Sequence, residues 1–271
     1  MIKLPTELLE PILTDALQDS RSSALDLLLI HPRTTQILYR HVYQQHPCAI
    51  NSLNQLELFS NNVPLELLSK VRALHINLPS AAGSVWDSVG NALTKCRNVQ
   101  HLKLRAMGLW NEDRRGLIEG LAAIDPINFE WTSPDPPHHI SLSVVTPCLT
   151  IVLNQLPRWS RLLHLSMSHV QFPQCTHPDR YLPAVLSPTL ETISLGQAIK
   201  APATMLAGIA TACPRLKRFD AEDIYSESIW GSRVDEKDVR NKLEDSMSFY
   251  GDFSITSRLQ RIAGGDRGVI Y

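Results

Sequence analysis

The sequence has no long hydrophobic run and no excess of charge of one sign. Its longest uninterrupted apolar stretches, such as residues 27–30, are far too short to cross a bilayer, and no secretory signal is apparent at the N-terminus. Lys and Arg number 26 and Asp and Glu number 27, for a net charge of -1. This balance favours neither nucleic acid nor an anionic membrane as a partner. We therefore expect a protein of the cytoplasm, the nucleus or both that binds neither.

Cysteine is scarce, and no two cysteines form a C-x-x-C pair. The five cysteines, Cys48, Cys96, Cys148, Cys175 and Cys213, are scattered along the chain. Neither a disulfide framework nor a four-cysteine zinc site is therefore expected. Cys96 and Cys213 each precede an apolar segment, and we predict that they are buried as small apolar groups and have no catalytic role.

Recognisable catalytic motifs are also missing from the sequence. It contains no G-x-S-x-G, no P-loop and no G-x-G-x-x-G. The candidate metal ligands are His138 and His139, with Cys148 or with Cys175 and His177. Their spacing matches no standard zinc pattern, which favours a solvated histidine pair in a loop. We therefore predict no catalytic residue, no metal site and no cofactor, and a hydrolase or metalloenzyme is the least favoured alternative.

From residue 71 onward a short unit recurs: an apolar residue, two variable ones, an apolar one, a variable one and an apolar one. Copies begin at residues 71, 99, 162, 190 and 216, and a weaker copy of ambiguous register lies near 127. One longer interval holds the proline-rich residues 133–137, which indicate an inserted loop. Helix-like segments lie between the copies, at 85–96, 115–124, 148–156, 181–186 and 204–213. A strand and a helix repeated at about 20 to 29 residues are the signature of a leucine-rich repeat.

Each unit is predicted to supply one strand that is too short to bury its apolar side chains alone. Stacking the units in parallel pairs the strands and buries one continuous core. Because side chains alternate along a strand, positions four and six point inward and positions three, five and seven point outward. The predicted fold class is therefore α/β: a short N-terminal three-helix module, then a leucine-rich-repeat-like solenoid with a short-stranded parallel sheet.

The outward positions are the candidate substrate-binding residues, because they can vary without disturbing the core. Those selected are His75, His101, Lys103, Arg105, His164, Ser166, Ser194 and Asp220. Within this set, His101, Lys103 and Arg105 could form a basic spot for an acidic or phosphorylated partner. An ordinary solvated strand face is the favoured interpretation of these three residues.

Residues 1–45 are predicted to form three short helices, the first with an apolar stripe at helical spacing. Pro11 lies inside that pattern and predicts a bend. The opening Leu4-Pro5-Thr6-Glu7-Leu8-Leu9, followed by Ile12-Leu13 and the apolar residues of 24–29, resembles an F-box. Residues 37–43 resemble the stretch that leads from the F-box into the first repeats in many fungal F-box-like chains.

The resemblance implies that the helical module docks on a Skp-type adaptor, which links it to a cullin scaffold. The repeats would then select the substrate of a ubiquitin ligase, and transfer would occur on partner subunits, so this chain is not expected to be an enzyme. The residues that match the adaptor-facing motif are Leu4, Pro5, Leu8, Leu9, Ile12, Leu13, Leu25 and Leu28. The alternative is a free-standing repeat scaffold whose N-terminal helices only cap the solenoid.

The predicted organisation has four parts. Residues 1–45 form the helical module, 46–70 a connector with one helical stretch, 71–230 the repeats, and 231–271 a charged C-terminal segment. The charged residues 233–244 predict a solvated helix. Whether the last part packs as a cap on the final repeat or remains a loose tail stays open at this point.

Overall fold

The computed structural model describes residues 11, 43–79, 85–108, 110–134, 142–174, 187–247 and 261–263. Pro11 is helical and exposed, and residues 43–45 are helical. Over these ranges the fold is α/β, with one parallel sheet and with helices between its strands, which confirms the α/β part of the prediction. The described part of the chain contains no helix that is long and apolar enough to span a membrane.

The sheet has eight strands among the described residues, and every strand pairs with its immediate neighbours in the sequence. All of these pairings are parallel. The strands are β1 (Cys48–Ile50), β2 (Ala73–Leu78), β3 (His101–Ala106), β4 (Asn128–Thr132), β5 (His164–Ser168), β6 (Thr192–Gly196), β7 (Arg218–Glu222) and β8 (Arg261–Ala263). The spatial order of the strands therefore never reverses along the sheet.

Two rows of apolar side chains run across the sheet on one face, and we call them the inner rows. The first consists of Leu74, Leu102, Phe129, Leu165, Ile193 and Phe219, in direct register from β2 to β7. The second consists of Ile76, Leu104, Trp131, Met167, Leu195 and Ala221. All twelve residues are at most 3% exposed. Positions four and six of every unit therefore point inward, as the repeat pattern predicts.

The weak copy near residue 127 begins one residue earlier than expected. In each unit the carbonyl of the second residue accepts two bonds from the next unit, and Gln100 O accepts from Ile127 N at 2.8 Å and Asn128 N at 2.9 Å. Ile127 therefore occupies the second position, and the buried Pro126 occupies the first. At the equivalent place Val99 donates its N–H to Cys96 O, a bond that proline cannot make.

The helices are α1 (Leu53–Asn62), α2 (Leu65–Leu68), α3 (Val85–Lys95), α4 (Arg115–Ala122), α5 (Thr146–Gln155), α6 (Ala203–Ala212) and α7 (Glu236–Met247). A 3-10 turn, Leu156–Arg158, extends α5. The structure confirms the predicted helices at 85–96, 115–124, 148–156 and 204–213 to within a few residues. It also confirms a helix in the charged segment. The predicted helix at 181–186 lies outside the described residues.

Glycines allow α3 and α4 to pack backbone against backbone. A Cβ atom built on Gly90 would lie 2.2 Å from the carbonyl oxygen of Gly116, and one built on Gly116 would lie 2.2 Å from that of Trp86. A Cβ on Gly120 would lie 2.8 Å from the Cα of Gly90. Backbone atoms cannot move aside as a flexible side chain can, so these positions exclude any larger residue without a shift of the helices.

Both ends of the sheet extend further than the sequence indicates. The segment 46–70 was expected to be only a connector, yet its β1 pairs with β2, and Ile50 is 4% exposed. At the other end β8 pairs with β7, and Val239 and Leu243 of α7 are buried in the core. The described residues of the C-terminal segment therefore pack against the last repeat.

Candidate protein-binding surface

The face of the sheet opposite the inner rows, which we call the outer face, carries the third, fifth and seventh residues of each unit. Every outward residue of β2 to β7 is half-buried or exposed. All eight predicted substrate-binding residues lie on this face: His75, His101, Lys103, Arg105, His164, Ser166, Ser194 and Asp220. Their role in binding stays a prediction.

The strand register aligns the outward residues into rows that cross the sheet. The central row holds five of the predicted residues together with one that the sequence left unassigned, Glu130. Its members are His75, Lys103, Glu130, Ser166, Ser194 and Asp220. His101 and His164 lie in the adjacent row, separated by Asn128 of β4. The ambiguous register of the weak copy hid Glu130, because a shift of one residue moves a side chain to the opposite face.

The part of the outer face on β3 is basic. Lys103 Nζ lies 2.7 Å from Glu130 Oε1, and both side chains are more than a third exposed. Such a pair contributes only about 0–1 kcal/mol to stability. Arg105 has a different environment, because its Nε and Nη2 donate to the carbonyl oxygens of Ser133 and Pro134 at 3.3 and 3.1 Å. Carbonyl groups orient the guanidinium but leave its positive charge uncancelled.

His75 lies beside this basic part. Partial burial lowers the pKa of its imidazole, and the nearby Lys103 cation lowers it further. The Glu130 carboxylate raises this pKa, and His101 lowers it by a smaller amount. The neutral imidazole is thereby favoured, since both the loss of water and a neighbouring cation disfavour the charged form.

The middle of the outer face, on β5 and β6, carries small hydroxyl side chains. His164 Nδ1 lies 2.6 Å from Thr192 Oγ1, so the two residues form one hydrogen-bonded pair across the strands. Ser166 and Ser194 lie in the row beside them, and Ser194 is exposed. Short hydroxyl groups give this region donors and acceptors with little steric bulk.

The last part of the outer face, on β7, carries acidic residues. Asp220 Oδ2 accepts from Arg218 Nε at 2.6 Å, and Glu222 is exposed. Asp223 follows the strand and lies 3.5 Å from Arg233. Along the order of the strands the outer face thus changes from a small excess of basic residues on β3 and β4, through hydroxyl groups, to a small excess of acidic residues on β7. Such a face suits recognition by charge and hydrogen bonding more than burial of apolar surface.

The buried cysteines Cys96, Cys148 and Cys213 do not contribute to this surface. Burial raises the pKa of the Cys96 and Cys213 thiols to about 12, and both residues are fully buried, as the sequence predicts. Burial also raises the pKa of Cys148, whose Sγ lies 3.3 Å from Arg114 Nε. Across the described ranges no three His, Cys, Asp or Glu side chains are grouped so as to hold a metal. His138, His139, Cys175 and His177 lie outside those ranges.

The predicted adaptor-binding residues also lie outside the described part of the chain. They are Leu4, Pro5, Leu8, Leu9, Ile12, Leu13, Leu25 and Leu28. No protein-family model matches the chain. A comparison with curated proteins likewise finds no match. The outer face must therefore be interpreted from its own residues.

Proposed function

We propose that this chain is a non-catalytic adaptor that binds a protein target on the outer face of a leucine-rich-repeat-like solenoid. The observation that carries the proposal is the pair of inner rows in continuous register from β2 to β7, with a polar face opposite them. In a repeat protein each unit supports its neighbours, and the side chains on the open face are free to differ.

The alternative parallel architecture, a doubly wound sheet, fits these strands poorly. Such a sheet is covered by helices on both faces, and its strands are nearly continuous hydrophobic runs. Here the strands alternate strictly, as in the burial of β2, where Leu74, Ile76 and Leu78 are buried and the residues between them are not. A doubly wound sheet also reverses its strand order at a switch point, whereas this order runs in sequence from β1 to β8.

The outer face is large enough for a protein partner. With neighbouring strands about 4.8 Å apart, the five steps from β2 to β7 give this face a length of roughly 24 Å, and the seven steps from β1 to β8 give the whole sheet roughly 34 Å. A standard protein interface buries about 800 Å² on each partner, which such a face and its flanking loops can supply. Its charges and hydroxyl groups would give specificity, because mispaired like charges cost more than matched pairs gain.

We propose further that the target is a substrate of a Skp–cullin–F-box ubiquitin ligase. This part depends on the resemblance of residues 1–45 to an F-box, whose apolar residues would be buried against a Skp-type adaptor. The free-standing scaffold is the second candidate, and one contact favours it. The rings of Tyr43 and Phe59 lie 6.4 Å apart, so the chain just before β1 packs on α1 as a cap would.

The two candidates differ in whether a Skp-type adaptor co-purifies with the protein. We expect the adaptor to be captured from a cell extract by the full chain and lost after Leu8→Asp combined with Ile12→Asp, as an immunoblot can show. The matched control is Lys103→Glu combined with Arg105→Glu, which changes the outer face and should leave capture of the adaptor intact while reducing capture of the target.

Failure of the wild-type chain to capture the adaptor would overturn the ligase proposal, as would capture that persists in the Leu8→Asp, Ile12→Asp variant. If either of these results is found, and a target protein is captured by wild type but lost in Lys103→Glu, Arg105→Glu, the free-standing scaffold is supported. If the charge reversals change no bound protein, the outer face is not the binding surface.

A further inference from the structure

Trp230 is the most exposed large apolar residue among those described, with 88% of its surface accessible to solvent. It lies near the tip of the loop 226–232, which follows β7. The three tryptophans Trp86, Trp131 and Trp159 are at most 1% exposed. A tryptophan in water forgoes burial of roughly 150–250 Å² of mainly apolar surface, so its position on the solvent side calls for a reason.

The loop that carries Trp230 is closed by its own hydrogen bonds. Ser226 N donates to Ser232 O at 3.2 Å, and Gly231 N donates to Ser228 O at 2.8 Å. Just below, Tyr225 and Arg233 form an antiparallel bridge, with the guanidinium 5.7 Å from the centre of the Tyr225 ring. The loop is thus ordered before any partner arrives, which lowers the entropic cost of binding.

A cleft opens at the base of the same loop. Its volume is about 590 Å³, within the range of about 300–1,000 Å³ that is usual for ligand sites. The cleft lies between the loop and α7, and its lining includes Ser226, Ser232, Arg233, Asp238, Lys242 and Glu244. An apolar anchor and a polar recess of this size therefore lie next to each other.

The surroundings of Trp230 are acidic. Residues 220–244, which include β7, the loop and most of α7, hold eight acidic residues and four basic ones, Arg233, Lys237, Arg240 and Lys242. Of these basic residues, Arg233 is paired with Asp223 at 3.5 Å and Arg240 with Glu236 at 2.6 Å. Glu227 and Asp235, on either side of Trp230 in the sequence, are exposed. The potential around the loop is therefore negative, which attracts cationic side chains and repels acidic ones.

We infer that Trp230 and the adjoining cleft bind a basic segment of a partner protein, in which apolar side chains pack on the indole and Lys or Arg side chains contact the exposed carboxylates of Glu227 and Asp235. The inference rests on the proposed function only in taking the chain to be a protein-binding one. Tryptophan is enriched among the residues that dominate interface energies. The loop that carries Trp230 is already closed by its own hydrogen bonds, so it does not have to fold when the partner binds.

The inference can be tested with a random library of 12-residue displayed peptides as the probe. The library is selected on the full-length chain and depleted on the Trp230→Ala variant. We expect the enriched sequences to combine apolar residues with Lys or Arg. The synthesised consensus peptide, measured by fluorescence anisotropy, should bind Trp230→Ala at least about tenfold more weakly than wild type. The control is Trp110→Ala, since Trp110 is also exposed, at 53%, and should leave affinity unchanged.

Three results would overturn the inference: no enrichment that depends on Trp230, enriched peptides that are acidic or uncharged, or equal loss of affinity in Trp110→Ala. A thermal melt of each variant checks that it is folded. A failure of this inference can be distinguished from a failure of the proposed function, because the Lys103→Glu, Arg105→Glu variant tests binding on the outer face and Trp230→Ala tests binding at the loop. Peptide binding that survives those charge reversals locates the site at the loop, whereas binding that they abolish contradicts it.

Discussion

The strands β2 to β4 and the strands β5 to β7 share one interior but present different exteriors. Both groups continue the same inner rows, from Leu74 and Ile76 at one end to Phe219 and Ala221 at the other. On the outer face the first group carries the basic residues of β3, whereas the second carries hydroxyl groups and then acids. The interior is thus constrained by the need of each unit for its neighbours, and the exterior is free to acquire specificity.

The two groups also differ in how the chain leaves the strand. In β2 and β3 the strand continues through the eighth position of the unit, at Leu78 and Ala106. After β5, β6 and β7 the eighth residue has a positive φ instead, at His169 (58°), Gln197 (48°) and Asp223 (53°). The left-handed conformation turns the backbone at once, so β5, β6 and β7 each end one residue earlier than β2 and β3 and turn sharply into the loops. The strand β4 also has five residues, but no positive φ follows it among the described residues.

The largest expected effect tests whether the interior is common to both groups. Leu104→Ala in β3 and Leu195→Ala in β6 each remove a buried side chain from the same inner row, and each should lower the free energy of unfolding by about 2–5 kcal/mol. Denaturant titration measures both losses. Ser194→Ala, one residue away on the outer face, is the control and should change stability by less than about 0.5 kcal/mol. A loss confined to one of the two leucine variants would show that the groups do not share one core.

A smaller effect should test the close packing of α3 on α4, which lie beside the first group of strands. Gly116→Ala places a methyl group against the backbone of α3 and should cost about 1–3 kcal/mol by overpacking. The control is Gly196→Ala in β6, where the new Cβ would meet only Ser168 Cβ at 3.4 Å, an ordinary contact. Thermal melts followed by circular dichroism compare the two. If Gly116→Ala is no less stable than Gly196→Ala, the close approach of α3 and α4 is not required.

Much of the repeat could be predicted because its apolar positions recur with a fixed spacing. The register of the weak copy and the strand β1 could not be predicted, because both depend on contacts between units that are distant in the sequence. Pro126 was not recognised as an apolar first residue, and the resulting shift hid Glu130. The strand β1 has only three residues, of which only Ile50 is buried, so it carries no periodic pattern to detect.

The candidate site could be predicted in part for the same reason. Alternation along each strand suffices to assign side chains to the outer face, and all eight assigned residues lie there. Pairings such as Lys103 with Glu130 depend on which strands become neighbours, which no single unit reveals. Trp230 belongs to no period at all, since it lies alone in a charged segment. Its exposure therefore cannot be predicted from the sequence and is known only from the folded loop.

The smallest expected effect concerns the basic part of the outer face and can be read from a single residue. Because burial and Lys103 both lower the pKa of His75, an NMR titration should give a value below about 6.5, the ordinary value for histidine. Lys103→Gln removes one of the three lowering causes and should raise that pKa.

The sign of the linked stability change follows from the same shift. A histidine whose folded-state pKa is lowered contributes stability above its unfolded pKa, and that contribution is lost as the pH falls through about 6.5 toward the folded-state value. Between pH 7.5 and 5.5, His75→Gln should therefore lose slightly less stability than wild type. A measured pKa above the ordinary value, or a Lys103→Gln variant that lowers it, would mean that His75 does not face the basic part of the surface as described. The basic character assigned to the outer face of the first group, and with it the electrostatic contrast between the two groups of strands, would then lose its support.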